Sequence, residues 1–418
     1  MLAKAIILIG GPQKGTRFRP LSMELAKPLF PLAGVPMLQH HIDACKKVPN
    51  IRQIFLMGFY DESEFATFMT QCISPDEGIQ ISYLRETQAL GTGGGLMRYR
   101  DIILEGQPDI LFVLHGDVCS SFPLNDMLAE HQKRAVTDHF TLMATQVERE
   151  RAHLYGCVVE NPETGEVLHY AEKPQTFVSD LISCGVFIFT PKLFDHINAL
   201  SGPPALDLDC VDDEEADPRN SHNVSLERDV LVQLSGSGKL FVYKTLDFWT
   251  AVKTSGSALH ANRCYLSFVR KSNPERLVAA KPAGSGFPTI VGDVIIDPTA
   301  TVDPTCKLGP NVTIGPGAKI GAGVRIVDSI VLDQVEVKPH ACIIHAVIGW
   351  QSIVGAWSRV EGVPGLPGTG NQYVNGQKNN GVTILGKGVE VAAEIIVRNC
   401  IVLPHKSLTS NQRNEILL

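Results

Sequence analysis

The sequence predicts an α/β protein in two parts: a Rossmann-like domain with a mostly parallel sheet, then a left-handed parallel β-helix of hexapeptide repeats. Two observations carry the first part and one the second. Short apolar, β-branched runs alternate with helix-like stretches over the first 250 or so residues, and the first run breaks into glycines. From about residue 288 an aliphatic residue instead recurs every sixth position.

The strand candidates are AIILI (5–9), QIFLMGF (53–59), QISYL (80–84), DILFVLHG (109–116) and GVFIFT (185–190), with helical stretches at 36–48, 61–72 and 123–134. Strands alternating with helices imply a parallel sheet covered on both faces, with ligands beyond the carboxyl ends of the strands. The hexad series runs Ile296, Val302, Leu308, Ile314, Ile320, Ile326 and Leu332, then Ile348, Val354 and Val360, then Leu385, Val391, Val397 and Leu403. Each hexad is one side of a triangular coil, its aliphatic inward and a Gly or small residue at the corner. GVPGLPGTGNQYVNGQKNNG (362–381) cannot form a rung and must leave the coil. Domains are therefore expected at 1–265 and 288–418, joined by a linker at 266–287, with the acidic run DLDCVDDEEADPRN inside a surface insertion at 201–223.

The 418 residues are 44% hydrophobic and 19% charged, the balance of a water-soluble globular chain. A net charge of −7 argues against nucleic acid or an anionic membrane surface as partner. Ten scattered cysteines form no C-x-x-C pair and no zinc spacing, as expected of reduced thiols in the cytoplasm. The N-terminal apolar run is too short for a signal peptide, and no stretch reaches the 18 or so apolar residues of a membrane span.

Gly10-Gly11 after a buried strand, followed by Gly15-Thr16-Arg17, lets backbone N–H groups approach an anion. A Walker loop is excluded, because Thr16-Arg17 stands where Lys and then Ser or Thr are required. Lys27-Pro28 adds a second cation. LGTGGG (90–95), which includes Gly91 and Thr92, adds a second glycine cluster after Glu86. Asp117 closes the strand DILFVLHGD where a carboxylate could hold a divalent cation, and Glu172-Lys173-Pro174 places an acid and a base beside a sugar or phosphate.

Together these motifs resemble the sugar-1-phosphate nucleotidyltransferases, whose pattern is G-G-x-G-T-R-L-x-P-L-T, K-P, L-G-T-A-G, an Asp-bearing strand end and E-K-P. VVENPETGEVLHYAEKP and the closing IVLPHKSL are similar to the GDP-mannose pyrophosphorylases. In that family a sugar 1-phosphate attacks the α-phosphorus of a nucleoside triphosphate, with Mg²⁺ and basic side chains neutralising the phosphates. The resemblance implies that Arg17 and Lys27 meet phosphates and that Glu86 with Gly91 and Thr92 meets guanosine. It implies further that Glu172 and Lys173 meet the mannosyl phosphate, that Asp117 meets the metal, and that Gly10, Gly11, Gly156, Ser183 and Asp247 line the nucleotide-sugar site.

Three departures qualify the likeness. Pro12-Gln13-Lys14 puts three residues where the family has one, and a misplacement of about 1 Å can cost roughly a hundredfold in rate. Phe248-Trp249-Thr250-Ala251 puts alanine where the family's second metal carboxylate stands, leaving Asp247 as the nearest acid. Ser183-Cys184-Gly185 replaces the family's N-A-G. Binding should survive these changes better than turnover. The resemblance then implies a regulatory subunit that binds GDP-mannose without a required metal and inhibits a catalytic beta subunit of GDP-mannose pyrophosphorylase. The 362–381 loop is expected to reach the partner, and the β-helix to support self-association. The alternatives are an active guanylyltransferase using Mg²⁺, and a hexad-repeat acyltransferase with His340 or His345 as base.

Overall fold

The computed structural model describes residues 1–73, 78–134, 136–200, 223–280, 286–363, 372–374, 377–379 and 381–418. The acidic insertion at 201–222 and most of the 362–381 loop lie outside the described residues. The chain forms two compact units, one of residues 1–11 and 39–249, the other of residues 12–38 and 250–418.

The first unit is a nine-stranded sheet built on β1 (Ala3–Gly10), β2 (Ile51–Gly58), β3 (Gln80–Arg85) and β4 (Ile110–His115), in the order β3-β2-β1-β4, all parallel. Helices α1 (Met37–Lys46), α2 (Ser63–Cys72), α3 (Gly91–Arg98), α4 (Leu124–Gln132) and α5 (Leu193–Leu200) occupy the stretches between strands. Near-continuous burial along β1 and β4 is what a sheet covered on both faces demands.

Beyond β4 the sheet turns antiparallel. The strands β5 (Phe140–Gln146), β6 (Gly156–Glu160), β7 (Val167–Glu172), β8 (Leu181–Phe189) and β9 (Leu240–Lys244) complete it. There β8 pairs antiparallel with β4, β5 and β6, β7 pairs antiparallel with β6, and β9 runs parallel to β5. Of these five, sequence reasoning found only the second half of β8.

Two buried histidines of this unit are hydrogen-bonded within it. His131, at the end of α4, is 4% exposed, with Nδ1 2.9 Å from Thr141 Oγ1 and its ring stacked on His139 at 4.1 Å. Burial, with His139 and Arg134 adding to it, lowers His131 to about 4. An unfolded histidine titrates near 6.5, so stability is whole above that pH and is lost as pH falls towards 4. Urea unfolding should lose about 2 kcal/mol between pH 7.5 and pH 5 through this group. His131→Gln should flatten that dependence; an unchanged slope would assign it elsewhere.

The second unit carries α6 (Ser257–Ser272), which runs across residue 265 into the expected linker, and then the coil. Three all-parallel sheets form the coil's sides, as a left-handed parallel β-helix requires: two of seven strands and one of six. Its axis is filled by Leu308, Ile314, Ile320, Ile326, Ile343, Ile348, Val354, Val360, Leu385, Val391 and Val397. Ala346–Ile348 pairs directly with Thr383–Leu385, so the coil resumes in register on the far side of the insertion.

The strict hexad phase needs correction at two places. Ile314 stacks on Val331, not on Leu332, and Leu385 stacks on Val402, not on Leu403. After Ile326 one side has only four residues between inward positions, because a single residue with positive φ makes the corner: Asp328 at 47°, His345 at 51° and Asn399 at 52°. Polar residues tolerate this left-handed conformation better than β-branched ones. His345 is therefore a corner residue. It is 6% exposed and lies with Nδ1 2.6 Å from Asp328 Oδ2, while Arg263 of α6 donates to both oxygens of the same carboxylate at 3.2 and 2.7 Å. Burial alone would raise Asp328, but His345 and Arg263 hold it below the usual carboxylate range. His340 stacks on the exposed Trp357 at 4.2 Å.

Candidate functional site

In the first unit the expected ligand residues gather along the carboxyl ends of the strands. Gly10 takes φ +69° and accepts at its carbonyl from Phe59 N–H at 2.8 Å, and a Cβ on Gly11 would lie 2.7 Å from Phe59 Cβ. Gly116 N–H donates to Leu8 O at 2.9 Å, which brings His115 and Asp117 beside the end of β1. Glu86 N–H donates to Gly58 O at 2.7 Å, so Glu86 stands directly past β3.

The second glycine cluster opens α3, where helical N–H groups have no partner inside the helix. Here Val224 O accepts from Gly93 N–H at 2.8 Å and from Gly94 N–H at 3.1 Å. Gly91, at φ +78°, has Val224 O where a Cβ would sit, and the Glu86 carboxylate fills the same space at Gly95. Thr92 is also engaged within the protein, since its hydroxyl donates to Glu227 Oε2 at 2.9 Å and accepts from Leu226 N–H at 2.8 Å. Two amides and a hydroxyl of the expected base cradle thus satisfy the chain's own Val224–Glu227 segment.

Glu227 belongs to a π turn, Leu226–Val230. It forms an ion pair with His115 (Glu227 Oε1 to His115 Nε2, 2.8 Å) and accepts from Ser225 Oγ at 2.8 Å. Burial would raise its carboxyl, yet His115 and Ser225 bring it down to about 2. For His115, burial works against the charged ring, but Glu227, Asp117 and Glu172 together raise it above the ordinary histidine range. Gly185, at φ +70° in the bulge of β8, leaves room for that ring, since a Cβ there would lie 3.0 Å from it.

The residues expected on the sugar side meet on the β6–β7 hairpin. Glu172 pairs across the strands with Gly156 and accepts from Tyr170 Oη at 3.0 Å and Lys173 Nζ at 2.6 Å. Tyr170 is 2% exposed. Burial, then Glu172 and Glu227, push its phenol well above its usual range, while a hydrogen bond with Ser183 works against them. Ser183 thereby joins Glu172, His115 and Glu227 in one polar cluster with Asp117. Asp247 is exposed and accepts from Ser121 Oγ at 2.7 Å.

The second unit holds Arg17, Lys27 and Ala251. Pro12–Phe18 winds into a 3₁₀ helix. Arg19 N–H donates to Thr16 O at 3.2 Å and Ser22 Oγ to Gly15 O at 3.0 Å. Arg17 is exposed at the end of this helix, and Lys27 opens a short 3₁₀ turn, Lys27–Leu29. Ala251 ends a strand, Trp249–Ala251.

Mg²⁺ is the metal this chemistry would call for. Among the described residues no group of three or more His, Cys, Asp or Glu could hold a metal ion, and Ala251 offers a methyl where a second oxygen is needed. Sequence reasoning missed His115, Glu227, Tyr170 and Val224. A histidine and an aspartate closing an otherwise apolar strand (LHGD) could have flagged His115; nothing local singles out Glu227.

Residues 4–212 match the nucleotidyl transferase family, and residues 290–417 match the GMPPB C-terminal domain. Curated relatives span the chain. A mannose-1-phosphate guanylyltransferase regulatory subunit alpha-A of Danio rerio is 48% identical over 426 residues, covering 100% of both chains. The regulatory subunit alpha of Dictyostelium discoideum is 49% identical, covering 99% of this chain and 98% of its own, and that of Homo sapiens is 47% identical with 100% of both covered. A solved structure from Bacillus anthracis, assigned as a glucose-1-phosphate thymidylyltransferase, superposes with TM-score 0.50 at 20% identity. It covers 62% of this chain and 94% of its own, a likeness of fold alone. Among the described residues no helix is long and apolar enough to cross a membrane.

Proposed function

The chain belongs to the family of mannose-1-phosphate guanylyltransferase regulatory alpha subunits, and from that premise we propose that it binds GDP-mannose and lowers the turnover of a catalytic beta subunit. The observation that carries this reading is an asymmetry between two sets of residues. The sugar-side group of Gly156, Tyr170, Glu172, Lys173 and Ser183 keeps its acid–base pair and is held by its own hydrogen bonds, with Ser183 in place of the family's asparagine. The groups that chemistry at the α-phosphorus would need are altered, with the glycine loop wound into a 3₁₀ helix and Ala251 lacking an oxygen donor.

Holding a nucleotide sugar requires contacts to base, diphosphate and hexose. Making one requires in addition a metal-aligned triphosphate and a loop that follows its shape. In the proposed complex Glu172 and Lys173 orient the mannosyl phosphate, Glu86 faces the base, and Arg17 and Lys27 supply positive charge to the diphosphate. Feedback then needs only that the GDP-mannose-bound state favour a subunit arrangement in which the catalytic partner works less well. The coil is proposed as the self-association surface, and the 362–381 insertion as the element that reaches the partner.

Calorimetric titration of the purified chain with GDP-mannose, with and without Mg²⁺, tests the reading. Metal-independent binding is expected; absence of binding would undo it. Incubation with GTP, mannose 1-phosphate and Mg²⁺ should give no turnover, and a rate above about 1 per second would restore the active guanylyltransferase reading.

A further inference from the structure

The glycine-loop segment is held by the coil. Phe18, the last residue of the 3₁₀ helix and next to Arg17, is 1% exposed and meets Phe30 edge-on at 5.1 Å. Phe30, also 1% exposed, donates its N–H to Lys27 O at 3.1 Å and meets Trp350 of the coil edge-on at 6.2 Å. Between Phe18 and Phe30 in sequence, Glu24 Oε2 lies 2.9 Å from Lys387 Nζ. Each expected phosphate cation therefore sits beside an aromatic anchor, and the anchors end on the coil.

The two coil residues act from adjacent turns. Gly388 N–H donates to Trp350 O at 2.8 Å, and Ser352 Oγ donates to Gly386 O at 2.9 Å and accepts from Val389 N–H at 3.1 Å. The other end of the segment is tied separately, since Ala33 N–H donates to Asn262 Oδ1 at 2.8 Å and Arg276 donates to Ala33 O at 2.8 Å. Residues 18–30 thus have their own clamp, distinct from the fixings at residue 33.

We propose that Trp350 and Lys387 are positioning residues for the phosphate-facing segment: they set nucleotide-sugar affinity through Phe30 and Glu24 while touching no ligand atom. The proposal rests on the GDP-mannose reading above. The physical argument is that edge-on aromatic pairs and one half-buried ion pair fix the angle at which Arg17 and Lys27 leave the loop, and charge-to-phosphate contacts depend steeply on position.

The test uses the full chain and two readouts. By calorimetry, Trp350→Ala is expected to weaken GDP-mannose binding about tenfold, whereas Trp350→Phe, which keeps an aromatic edge, stays within about threefold of wild type. Lys387→Glu, a milder change at a half-buried residue, should weaken binding about threefold, and adding Glu24→Lys should restore it. By hydrogen exchange without ligand, amides of 18–30 should exchange faster in Trp350→Ala while those of Ala346–Ile348 keep their protection. Wild-type affinity in both Trp350→Ala and Lys387→Glu would overturn the clamp, as would equal loosening of coil and loop. If wild type does not bind GDP-mannose, the functional reading fails by itself, and the exchange pattern alone then upholds or overturns the clamp.

Discussion

Glu227→Ala is expected to cost about 3–5 kcal/mol of stability, because it leaves the His115 imidazolium buried without its counter-charge. The same carboxylate accepts from the Thr92 and Ser225 hydroxyls, so truncation also leaves those groups without an acceptor. Glu227→Gln keeps the shape and most of the hydrogen bonds but not the charge, and should cost less. The pH dependence follows from the direction of the shift. A carboxyl held at about 2 when folded, against about 4.5 in its ordinary state, contributes stability that is whole above pH 4.5 and is lost as pH falls towards 2. Urea unfolding of wild type and both variants at pH 6 and pH 3.5 would measure this. A Glu227→Ala loss under about 1 kcal/mol at pH 6 would show the pair to be water-screened and of little weight.

This pair also marks where sequence reasoning stops. The five strands and three helices named from apolar periodicity recur within a few residues of their expected bounds, because a strand buried on both faces leaves a local signature whichever way its neighbours run. The strands beyond β4 that were missed, β5, β6, β7 and β9, have shorter or mixed runs, and β5 and β9 pair across about a hundred positions of sequence. The coil was legible for the converse reason, since every turn repeats the same local demand. It was misread only after Asp328 and Asn399, where one residue turns the corner.

At the candidate site, Glu172-Lys173 was readable because acid and base are neighbours and do meet, at 2.6 Å. Thr92 and Glu227 are separated by 135 positions, so no pattern could show that the threonine hydroxyl is satisfied from within. The same holds for Val224, whose carbonyl caps α3. The glycines of LGTGGG read as room for a ligand, and at Gly91 and Gly93 that room is taken up by the chain itself.

Gly156→Ala is the substitution expected to act most strongly on binding. In β6 this position faces Tyr170 and Glu172 of β7, and an added Cβ would overlap Tyr170 Oη and lie 2.8 Å from Glu172 Oε2. The phenol has nowhere to go: its ring is part of the main core of the first unit, and its hydroxyl is tied to Glu172. Either the β6–β7 hairpin opens or the Glu172 carboxylate is pushed off Lys173, and both displace the acid–base pair proposed to orient the mannosyl phosphate. Overpacking of this kind costs about 1–3 kcal/mol of stability, while losing the charged pair's hydrogen bonds to the mannosyl phosphate, about 1.5–3 kcal/mol, lowers GDP-mannose affinity about tenfold to a hundredfold. Tyr170→Phe added to Gly156→Ala removes the colliding oxygen and should recover part of both losses. Calorimetry and urea unfolding on the single and double variants separate the effects. An affinity unchanged in Gly156→Ala would mean that the sugar binds without the Glu172-Lys173 pair, and recovery of stability without recovery of affinity would place the orienting role on the Tyr170 hydroxyl itself.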